Sequence, residues 1–466
     1  MNHSRRGFIK WSAGAWALAA LRPSRLLADA ANPFAGFDLA AAGKLKTRPS
    51  SAIGVSPLSV GYETLDRRHF DPVKTYQHAA QLGVKWARCQ TGWARTEKAR
   101  GQYDFGWLDE VVDNLLSIGI QPWFNLGYGN PLYTQQADAT AVGWVPVFDG
   151  AAMEAWKNFT ARAAEHFTGR VRHWEIWNEP NITHFWKPGK PDAAAYVRLV
   201  KETAPIIRKR VPDAVIIGCA LAGMPLDYLG ACLGAGIADY VDRISYHPYR
   251  EIPEKNYEAD VRGVRGLLAQ HNASHIKLWQ GECGCPSQKG GAGALSKADW
   301  NETRQAKWLL RRIVSDLRME VDLTSYFLIV DLVGYRGNTN WKGLLRGENH
   351  TPKPAYFAYQ NLCALFDAET RKADLPIRVE GAGETTVVTA SFQRRGQPLY
   401  LFWTPAGLTK DVPPQKVEVT VGDKLRSPAL LDPLTGAISR ITSLAALPLA
   451  DYPLIIADET AFQTGE

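Results

Sequence analysis

The sequence predicts a closed (β/α)8 barrel followed by a C-terminal β-sandwich, an α/β fold class that three observations support. From about residue 52 to residue 367, short apolar runs alternate with amphipathic segments. Eight such pairs can be counted, which is the number of strand and helix units in a TIM barrel. After about residue 368 the runs become short and β-like, and Gly, Pro and Asp separate them, as in an all-β domain.

The predicted barrel strands are the short apolar runs at residues 52–60, 84–90, 120–126, 172–178, 214–220, 243–247, 276–282 and 323–330. Helical periodicity predicts the helices at residues 71–82, 107–118, 151–167, 192–210, 225–236, 258–271, 300–319 and 353–366. A doubly wound open sheet is the main alternative. It is disfavoured because no glycine-rich dinucleotide-binding motif follows the first strand.

The predicted domain organisation has four parts. Residues 1–30 are expected to be a twin-arginine-type signal peptide, 31–51 an N-terminal extension, 52–367 the catalytic barrel and 368–466 the β-sandwich accessory domain. Whether the extension pairs with the accessory domain is not decided by its sequence.

The signal peptide is predicted from the order of its parts. The paired Arg5 and Arg6 precede an apolar stretch at residues 11–21, and residues 28–30 have the small-residue spacing of a cleavage site. A basic amphipathic helix is the alternative. No later run is long and apolar enough to span a bilayer, so we expect an exported protein, periplasmic or secreted, with no membrane association after signal removal.

Charge and cysteine content exclude several functions. The formal net charge is +7, but residues 1–30 carry four of these charges, and about +3 for the rest gives little reason to invoke nucleic acid or an anionic membrane. A weak preference for acidic sugars stays open. The six cysteines are too few for a disulfide-built scaffold. The Cys283-Gly284-Cys285 segment lacks the second ligand cluster of a zinc site, so we expect structural or free thiols and neither metal nor cofactor.

Two glutamates at strand ends are the candidate catalytic residues. Glu179 follows the fourth strand in Trp177-Asn178-Glu179-Pro180, and Glu282 ends the seventh strand in Trp279-Gln280-Gly281-Glu282. Cleaving a glycosidic bond with retention needs one carboxyl group to protonate the leaving oxygen and a second, about 5 to 5.5 Å away, to attack the anomeric carbon. Strands 4 and 7 of a barrel can supply such a pair across its mouth, which predicts a glycoside hydrolase.

These motifs resemble those of the clan A glycoside hydrolases, and the surrounding pattern is most like glycoside hydrolase family 39 over roughly residues 52–460. The resemblance implies that Glu179 is the general acid/base and Glu282 the nucleophile. It further implies that Asn178 binds the sugar 2-hydroxyl, that Arg88 keeps the nucleophile ionised, and that His247 and Tyr249 orient the surroundings of the nucleophile.

The pKa values should follow from the charges. A neighbouring Arg88 and a tyrosine hydroxyl would lower the pKa of Glu282, and the charge of Glu282 would raise that of Glu179. Structural alternatives exist for the supporting residues: a core histidine for His247, a barrel-interior ion pair for Arg88 and a strand-end cap for Asn178. Within the fourth strand, Glu175 is expected to be a buried partner of a barrel arginine.

Substrate contacts are expected from loops at the barrel mouth. Sixteen tryptophans are many for this length, and sugar rings stack on flat aromatic faces, although core packing is the alternative for each. Candidate sugar platforms are Trp93, Tyr128, Trp144, Trp186, Tyr335 and Trp341. Asn125 and Asp331, near the ends of strands 3 and 8, could bind sugar hydroxyls.

The predicted function is that of a retaining glycoside hydrolase acting on an oligosaccharide or polysaccharide by double displacement. An exo-acting, β-xylosidase-like enzyme is the first choice because the loop at residues 127–149 is long enough to wall off one end of a cleft. The resemblance also implies α-L-iduronidase-like activity or endo-acting hydrolysis of a bacterial or plant polysaccharide. A transglycosylase and a catalytically silent carbohydrate-binding barrel are the remaining alternatives.

Overall fold

The computed structural model describes residues 33–134 and 136–462, so the predicted signal peptide lies outside the described residues. The first strand, β1 (Leu39–Lys44), precedes the barrel. Eight strands follow at β2 (Leu58–Tyr62), β3 (Trp86–Gln90), β4 (Gln121–Leu126), β5 (His173–Ile176), β6 (Val215–Ala222), β7 (Arg243–His247), β8 (Lys277–Cys283) and β9 (Leu323–Tyr326). Strands β2 to β9 form a closed barrel, which confirms the predicted fold.

Parallel pairing runs round the whole barrel and brings the ends of its strands to one rim. Ser59 of β2 lies opposite Trp86 of β3, and the ring closes where Leu58 lies opposite Thr324 of β9. Every residue of β2 is buried, as expected for a strand enclosed by helices on one side and by the barrel interior on the other. Residues at the carboxyl ends of these strands therefore meet at the mouth.

Helices surround the barrel at α1 (Tyr76–Leu82), α2 (Trp93–Thr96), α3 (Gly106–Ser117), α4 (Gly150–Phe167), α5 (Ala193–Arg210), α6 (Leu226–Gly234), α7 (Tyr257–Gln270), α8 (Glu302–Arg318) and α9 (Pro354–Leu365). Side chains fix several of their starts. Asp149, Asp192 and Asn301 each accept a hydrogen bond from the backbone N–H three residues later, at 2.8, 2.7 and 2.8 Å. Such caps satisfy amide groups that the first helical turn leaves free.

The last barrel strand is shorter than predicted. Strand β9 ends at Tyr326, and residues 327–330 leave the barrel although all four are buried. A buried apolar segment has the same sequence pattern whether or not it forms a strand, so periodicity could not place the boundary. The chain then forms an unpredicted hairpin of β10 (Leu332–Tyr335) and β11 (Asn338–Asn340), with Leu332 opposite Asn340.

The C-terminal part consists of antiparallel sheets, as predicted. Its strands are β12 (Thr370–Lys372), β13 (Ile377–Glu380), β14 (Val388–Arg394), β15 (Gln397–Trp403), β16 (Gln415–Val421), β17 (Pro428–Asp432), β18 (Ala437–Ile441), β19 (Leu447–Leu449) and β20 (Leu454–Asp458). A seven-stranded sheet has the order β1-β18-β17-β20-β15-β14-β12, and a three-stranded sheet the order β13-β16-β19. Strand β1 belongs to the first sheet, where Leu39 lies opposite Ile441.

Buried polar contacts join the sheets to the barrel. Arg311 of α8 is fully buried, forms an ion pair with Glu254 at 2.6 Å and donates a hydrogen bond to the backbone oxygen of Ala406 at 2.7 Å. The indole of Trp403 on β15 donates to the same glutamate at 2.7 Å. Because removing one partner would leave a buried charge unpaired, this contact couples the two parts of the fold.

All six cysteines are buried and free, in line with the thiol interpretation. Over residues 33–134 and 136–462, no helix combines the length and the apolar character that crossing a membrane requires.

Candidate active site

Glu179 and Glu282 approach each other at the mouth of the barrel. Glu179 lies three residues beyond the end of β5, and Glu282 is the penultimate residue of β8. Trp177 and Glu179 have positive φ angles of 69° and 47°, a backbone conformation that costs energy for residues other than glycine and is concentrated at functional sites. The turn directs the Glu179 carboxyl group toward the cavity, where one of its oxygens lies within 4.8 Å of an oxygen of Glu282.

Gly281 permits the close packing behind Glu282. A Cβ atom at this position would lie 2.2 Å from Ser245 Oγ and 3.2 Å from Glu175 Oε1, so no larger residue fits without displacing the barrel interior. The glycine directly before the candidate nucleophile is therefore a requirement of the strand packing.

Both carboxylate oxygens of Glu282 accept a hydrogen bond. Arg88 of β3 donates from Nη1 to Oε2 at 2.7 Å, and the Tyr249 hydroxyl donates to Oε1 at 2.8 Å. Arg88 is fully buried, and burial opposes its charge while Glu175 and then Glu282 raise its pKa. The arrangement holds Glu282 in one orientation and places a cationic donor against one of its oxygens.

Glu179 lies in a different environment. Burial raises its pKa to about 7, against the lowering effects of Arg88 and Arg336, and the charge of Glu175 raises it further. The pKa of Glu179 is raised, as predicted, but the predicted cause is wrong. Desolvation is the largest cause, and the carboxylate that adds to the rise is Glu175 instead of Glu282. At a pH just below neutral, Glu179 holds a proton that it can donate.

His247 contacts the candidate acid rather than the candidate nucleophile. Its Nδ1 lies 3.0 Å from Glu179 Oε1 and 4.0 Å from Glu282 Oε2. Burial lowers the pKa of His247 to about 4, so its ring is neutral over the physiological range. A neutral ring can exchange a hydrogen bond with Glu179 without adding charge to the site.

Asn178 is oriented by Arg88, which binds its amide oxygen. Arg88 Nη2 donates to Asn178 Oδ1 at 2.8 Å, which leaves the Nδ2 hydrogens available for a ligand hydroxyl. Glu175 is fully buried and accepts from Arg88 Nε at 3.0 Å and Nη2 at 2.5 Å, as predicted for this residue.

Other predicted contacts lie away from the cavity. Asn125 is fully buried and donates to Glu175 Oε2 at 2.9 Å and to the backbone oxygen of Trp177 at 2.6 Å, so it supports the site from behind. Trp93 is buried, stacks on Tyr133 and donates to Glu97 at 2.5 Å. Its indole is out of reach of a sugar, because helix α2 turns it into the wall of the barrel.

The remaining aromatic candidates divide in the same way. Trp186 is fully buried, and Tyr128 is 2 % exposed and stacks on Phe185. Trp144 and Trp341 are half-buried and lie outside the lining of the cavity, whereas Tyr335 belongs to that lining. The carboxylate of Asp331 pairs with Lys353 at 2.7 Å.

Sequence reasoning missed a fourth carboxylate, Glu63. It directly follows β2, is 1 % exposed and accepts from Arg88 Nη1 at 3.3 Å. Burial is the main reason that its pKa rises to about 8. Its place directly after the first barrel strand is the same signal that identified Glu179, but the prediction for that strand ends at residue 60.

The cavity around the two glutamates has a volume of about 370 Å³. Loops after several strands enclose it, and Arg336 Nη2 lies 2.5 Å from His184 Nε2 across the opening. The lining residues that the sequence analysis did not select include Ile182, His184, Phe185, Phe327, Arg336, Asn340 and Lys342.

Glu179, His247 and Glu282 could also serve as metal ligands, since one atom of each lies within 4.8 Å of the others. Their oxygens and nitrogen already bond one another or Arg88 and Tyr249, and a cation would compete with the Arg88 guanidinium for Glu282. Two carboxylates at this separation are sufficient for glycosidic cleavage without a metal.

Known proteins share these features to different extents. The sequence model described as Glycosyl hydrolases family 39 matches residues 40–262. A β-xylosidase from Geobacillus stearothermophilus is 27 % identical over 203 residues, which are 38 % of this chain and 40 % of that protein. A β-xylosidase from Caldicellulosiruptor saccharolyticus is 24 % identical over 331 residues, 61 % of this chain and 63 % of that protein. The matched stretches thus span less than two thirds of either relative.

Solved structures show the same fold. A family 39 glycoside hydrolase from the gut symbiont Bacteroides cellulosilyticus superposes with a TM-score of 0.67 at 19 % identity, covering 88 % of this chain and 81 % of that chain. The common region includes the barrel and extends into the C-terminal sheets, because the barrel alone is too short to account for that coverage.

Proposed function

Because the chain belongs to glycoside hydrolase family 39, we propose that it is a retaining glycosidase that cleaves β-glycosides of the β-xyloside type. The observation that carries this proposal is the separation of no more than 4.8 Å between carboxylate oxygens of Glu179 and Glu282. Inverting enzymes place the two groups roughly 6.5 to 9.5 Å apart to admit a water molecule between them. The shorter gap favours direct attack by a carboxylate.

In the first step, an oxygen of Glu282 forms a bond to the anomeric carbon while the bond from that carbon to the leaving oxygen breaks. The electron pair moves to the leaving oxygen, which takes the proton of Glu179. Arg88 and Tyr249 hold Glu282 in the orientation for this attack. The buried, protonated Glu179 supplies the proton without a prior transfer from solvent.

In the second step, the oxygen of a water molecule attacks the anomeric carbon, and the ionised Glu179 accepts a proton from that water. The ester bond to Glu282 breaks, and its electron pair restores the carboxylate. The sum of the two steps is addition of water across the glycosidic bond, with the original anomeric configuration. The Asn178 amide would donate to the 2-hydroxyl, a contact that strengthens as positive charge develops on the ring.

The enclosed cavity favours removal of sugars from chain ends. The contact between His184 and Arg336 joins the loop after β5 to the β10–β11 hairpin over one side of the opening. The loop at residues 127–149 packs against the loop after β5, where Val145 N–H donates to the Lys187 oxygen at 3.0 Å. These contacts block the path of a polysaccharide that would extend from both sides of the cavity, whereas the terminal sugar of a chain can enter from the open side. The names of the two β-xylosidase relatives support xylosides as the first substrates to test.

The test of the proposed function follows the configuration of the first product. Purified protein is incubated with 4-nitrophenyl β-D-xyloside and xylotetraose, and proton NMR spectra are recorded during the first turnovers. We expect β-xylose to appear before mutarotation, and xylose to be released one unit at a time. Initial α-xylose would overturn the double displacement, and internal cleavage of xylotetraose would overturn the exo-acting mode.

We also propose export through the N-terminal segment, which supports action on extracellular glycans. A reporter fused to residues 1–30 should accumulate in the periplasm, and replacing both Arg5 and Arg6 by lysine should block this. A reporter that is exported equally well with the lysine pair would contradict the proposal.

A further inference from the structure

Arg88 is a single buried cation that three carboxyl groups share. The fully buried guanidinium group lies 2.5 Å from Glu175 Oε2, 2.7 Å from Glu282 Oε2 and 3.3 Å from Glu63 Oε1. Among the residues that the structure describes, no other arginine and no lysine lies within 4.0 Å of these three carboxyl groups. One positive charge does not offset three buried negative charges, so at least one of the three groups is expected to hold a proton.

The hydrogen bonds identify Glu63 as the protonated member of this cluster. Glu175 accepts two hydrogen bonds from Arg88 and a third from Asn125 at 2.9 Å. Glu282 accepts one hydrogen bond on each oxygen. Glu63 accepts a single side-chain hydrogen bond, at 3.3 Å, and its buried Oε2 contacts no donor in the described part of the chain. Burial raises the pKa of Glu63 to about 8, against the lowering effect of Arg88, and the charge of Glu282 raises it further, so Glu63 is a carboxylic acid at neutral pH.

The strand register brings this acid to Arg88. Gly61 of β2 lies opposite Arg88 of β3, and Glu63 follows two residues later in the chain. A Cβ atom at Gly61 would clash with Glu63 Oε2, so only glycine leaves room for the carboxyl group to turn back toward Arg88. Arg88 Nη1 therefore faces Glu282 and Glu63 at the same time.

The covalent step of the proposed mechanism removes one negative charge from this cluster. When Glu282 becomes an ester, Arg88 Nη1 loses the anion that lies closest to it. The same change removes one of the causes that raise the pKa of Glu63. The charge of Arg88 then favours the ionised form of Glu63, because an adjacent cation stabilises a carboxylate.

We propose that Glu63 is a positioning residue that is a neutral acid in the free enzyme and replaces Glu282 as an ion-pair partner of Arg88 in the glycosyl-enzyme. During the first step, the O–H bond of Glu63 breaks, its proton passes to solvent water, and both electrons of that bond stay on the carboxylate. When water hydrolyses the ester, Glu282 becomes a carboxylate again and Glu63 takes a proton back from solvent. Arg88 thus keeps Glu175 and one further carboxylate as partners in each state. This inference rests on the proposed retaining mechanism.

The other titratable groups near the cluster keep their protonation during this change, with one exception. Burial raises the pKa of three neutral side chains, those of Cys89, Tyr128 and Tyr249. His247, whose pKa burial lowers to about 4, stays neutral because loss of the Glu282 charge lowers this pKa further. Lys342 is the exception, since burial lowers its pKa to about 8 and the charge of Glu282 is among the influences that raise it. Its contribution to proton release has to be measured separately.

The experiment counts protons while the glycosyl-enzyme is trapped. Glu179→Ala is treated at pH 7 with 2,4-dinitrophenyl 2-deoxy-2-fluoro-β-D-xyloside in weak buffer with a pH indicator, and mass spectrometry quantifies the adduct. Attack by the Glu282 carboxylate releases the dinitrophenolate anion and neither consumes nor produces a proton, and the alanine removes the proton of the general acid. We therefore expect release of about 0.5 to 1 proton per adduct from Glu63. The release should vanish at pH 9, where Glu63 is already ionised in the free enzyme.

Three further variants, each added to Glu179→Ala, assign the proton. Glu63→Gln should abolish the release, whereas Lys342→Met should leave it unchanged. Glu97→Gln is the matched control, because it also removes a buried carboxyl group, one that bonds to Trp93 away from the cavity. It should leave the release unchanged as well.

The outcomes separate this inference from the proposed function. An adduct that forms in Glu179→Ala without proton release would overturn the inference, and so would a release that survives Glu63→Gln or disappears with Lys342→Met. The first of these results needs no change at position 63, so misfolding of Glu63→Gln does not obscure it. Absence of any adduct would instead overturn the proposed double displacement, and the inference with it.

Discussion

Glu282 and Glu179 face one cavity from opposite walls of the barrel, yet their surroundings differ in almost every respect. Glu282 receives a guanidinium hydrogen bond on one oxygen and a phenol hydrogen bond on the other. Glu179 is 9 % exposed, has a neutral histidine as its near partner, and has a pKa raised to about 7 by burial. One wall stabilises a carboxylate and the other stabilises a carboxylic acid.

This difference shows how one type of side chain can serve two roles. Charged donors preserve the negative charge that a nucleophile needs, and exclusion from water preserves the proton that an acid needs. The division does not require the two glutamates to influence each other. Four predictions test it, from the largest expected effect to the smallest.

Replacement of the candidate nucleophile should have the largest effect. We expect Glu282→Gly to lower kcat for 4-nitrophenyl β-D-xyloside by roughly 10⁴-fold or more, because no group remains to form the covalent intermediate. Azide should restore turnover by entering the vacated space and should yield the α-xylosyl azide. Glu251→Gly, at an exposed position after β7, should retain full activity. Absence of azide rescue in a folded variant would remove Glu282 from this role.

Replacement of the candidate acid should give a smaller loss that depends on the leaving group. Glu179→Ala should lose about 10²- to 10⁴-fold on alkyl xylosides but far less on 2,4-dinitrophenyl β-D-xyloside, which needs no protonation. With azide it should yield the β-xylosyl azide, the opposite anomer to that from Glu282→Gly. In the wild type, kcat/KM for alkyl xylosides should fall as the pH rises through about 7, and in the variant this fall should vanish. Equal losses on all substrates would contradict the acid assignment.

Removal of one hydrogen bond to Glu282 should have a moderate effect. Tyr249→Phe should lower kcat/KM by about 10- to 100-fold, since a hydrogen bond to a charged group contributes about 1.5 to 3 kcal/mol. Tyr246→Phe is the matched control. Its hydroxyl contacts Tyr257 at 2.9 Å within the barrel wall, so activity should change little. Similar kinetics for both variants would show that Tyr249 does not support Glu282.

The smallest effect concerns stability. The pKa of Glu179 is higher in the folded protein than in the unfolded chain, so protonation of Glu179 at low pH stabilises the folded state. This contribution to the free energy of unfolding is lost as the pH rises through about 7. Glu179→Gln removes the buried charge. Its free energy of unfolding relative to wild type should therefore increase by on the order of 2 kcal/mol between pH 5 and pH 8. Urea denaturation measures this difference, and Glu165→Gln on the exposed face of α4 should show none. If the difference in unfolding free energy between Glu179→Gln and wild type were constant from pH 5 to pH 8, burial would not raise the pKa of Glu179.

The positions of both glutamates could be predicted because the fold fixes them. Each follows an apolar strand, and parallel strands in a closed barrel bring their carboxyl ends to one rim. Their roles remain predictions, but their proximity follows directly from counting eight units. The six predicted strands from the second to the seventh match the observed ones closely for the same reason, since buried strands leave a strong apolar pattern, whereas the first prediction shares only residues 58–60 with β2.

Other parts of the site could not be predicted because they depend on loops. Arg336 lies in the turn between β10 and β11, and Lys342 lies two residues after β11, so this hairpin brings both side chains to the cavity. The sequence predicts a longer eighth strand, which extends to residue 330, and no hairpin after it. Trp93 lies in the loop after β3, on the side of the barrel where catalytic residues are expected. Its side chain is nevertheless buried in the core, because Trp93 begins the short helix α2. The sequence predicts that Glu282 raises the pKa of Glu179, whereas burial is the main cause. Desolvation depends on all the surrounding atoms, which a motif does not describe.

The pairing of β1 with β18 determines how the molecule can be divided. During synthesis β1 emerges before any barrel strand, but its partner appears only after the last barrel helix has been made. A fragment that stops after α9 would carry an unmatched strand, and a fragment that begins at β12 would expose a bare sheet edge prone to aggregation. Neither the barrel nor the C-terminal sheets can be expressed alone with this pairing intact, because β1 precedes the barrel in sequence and β18 follows it.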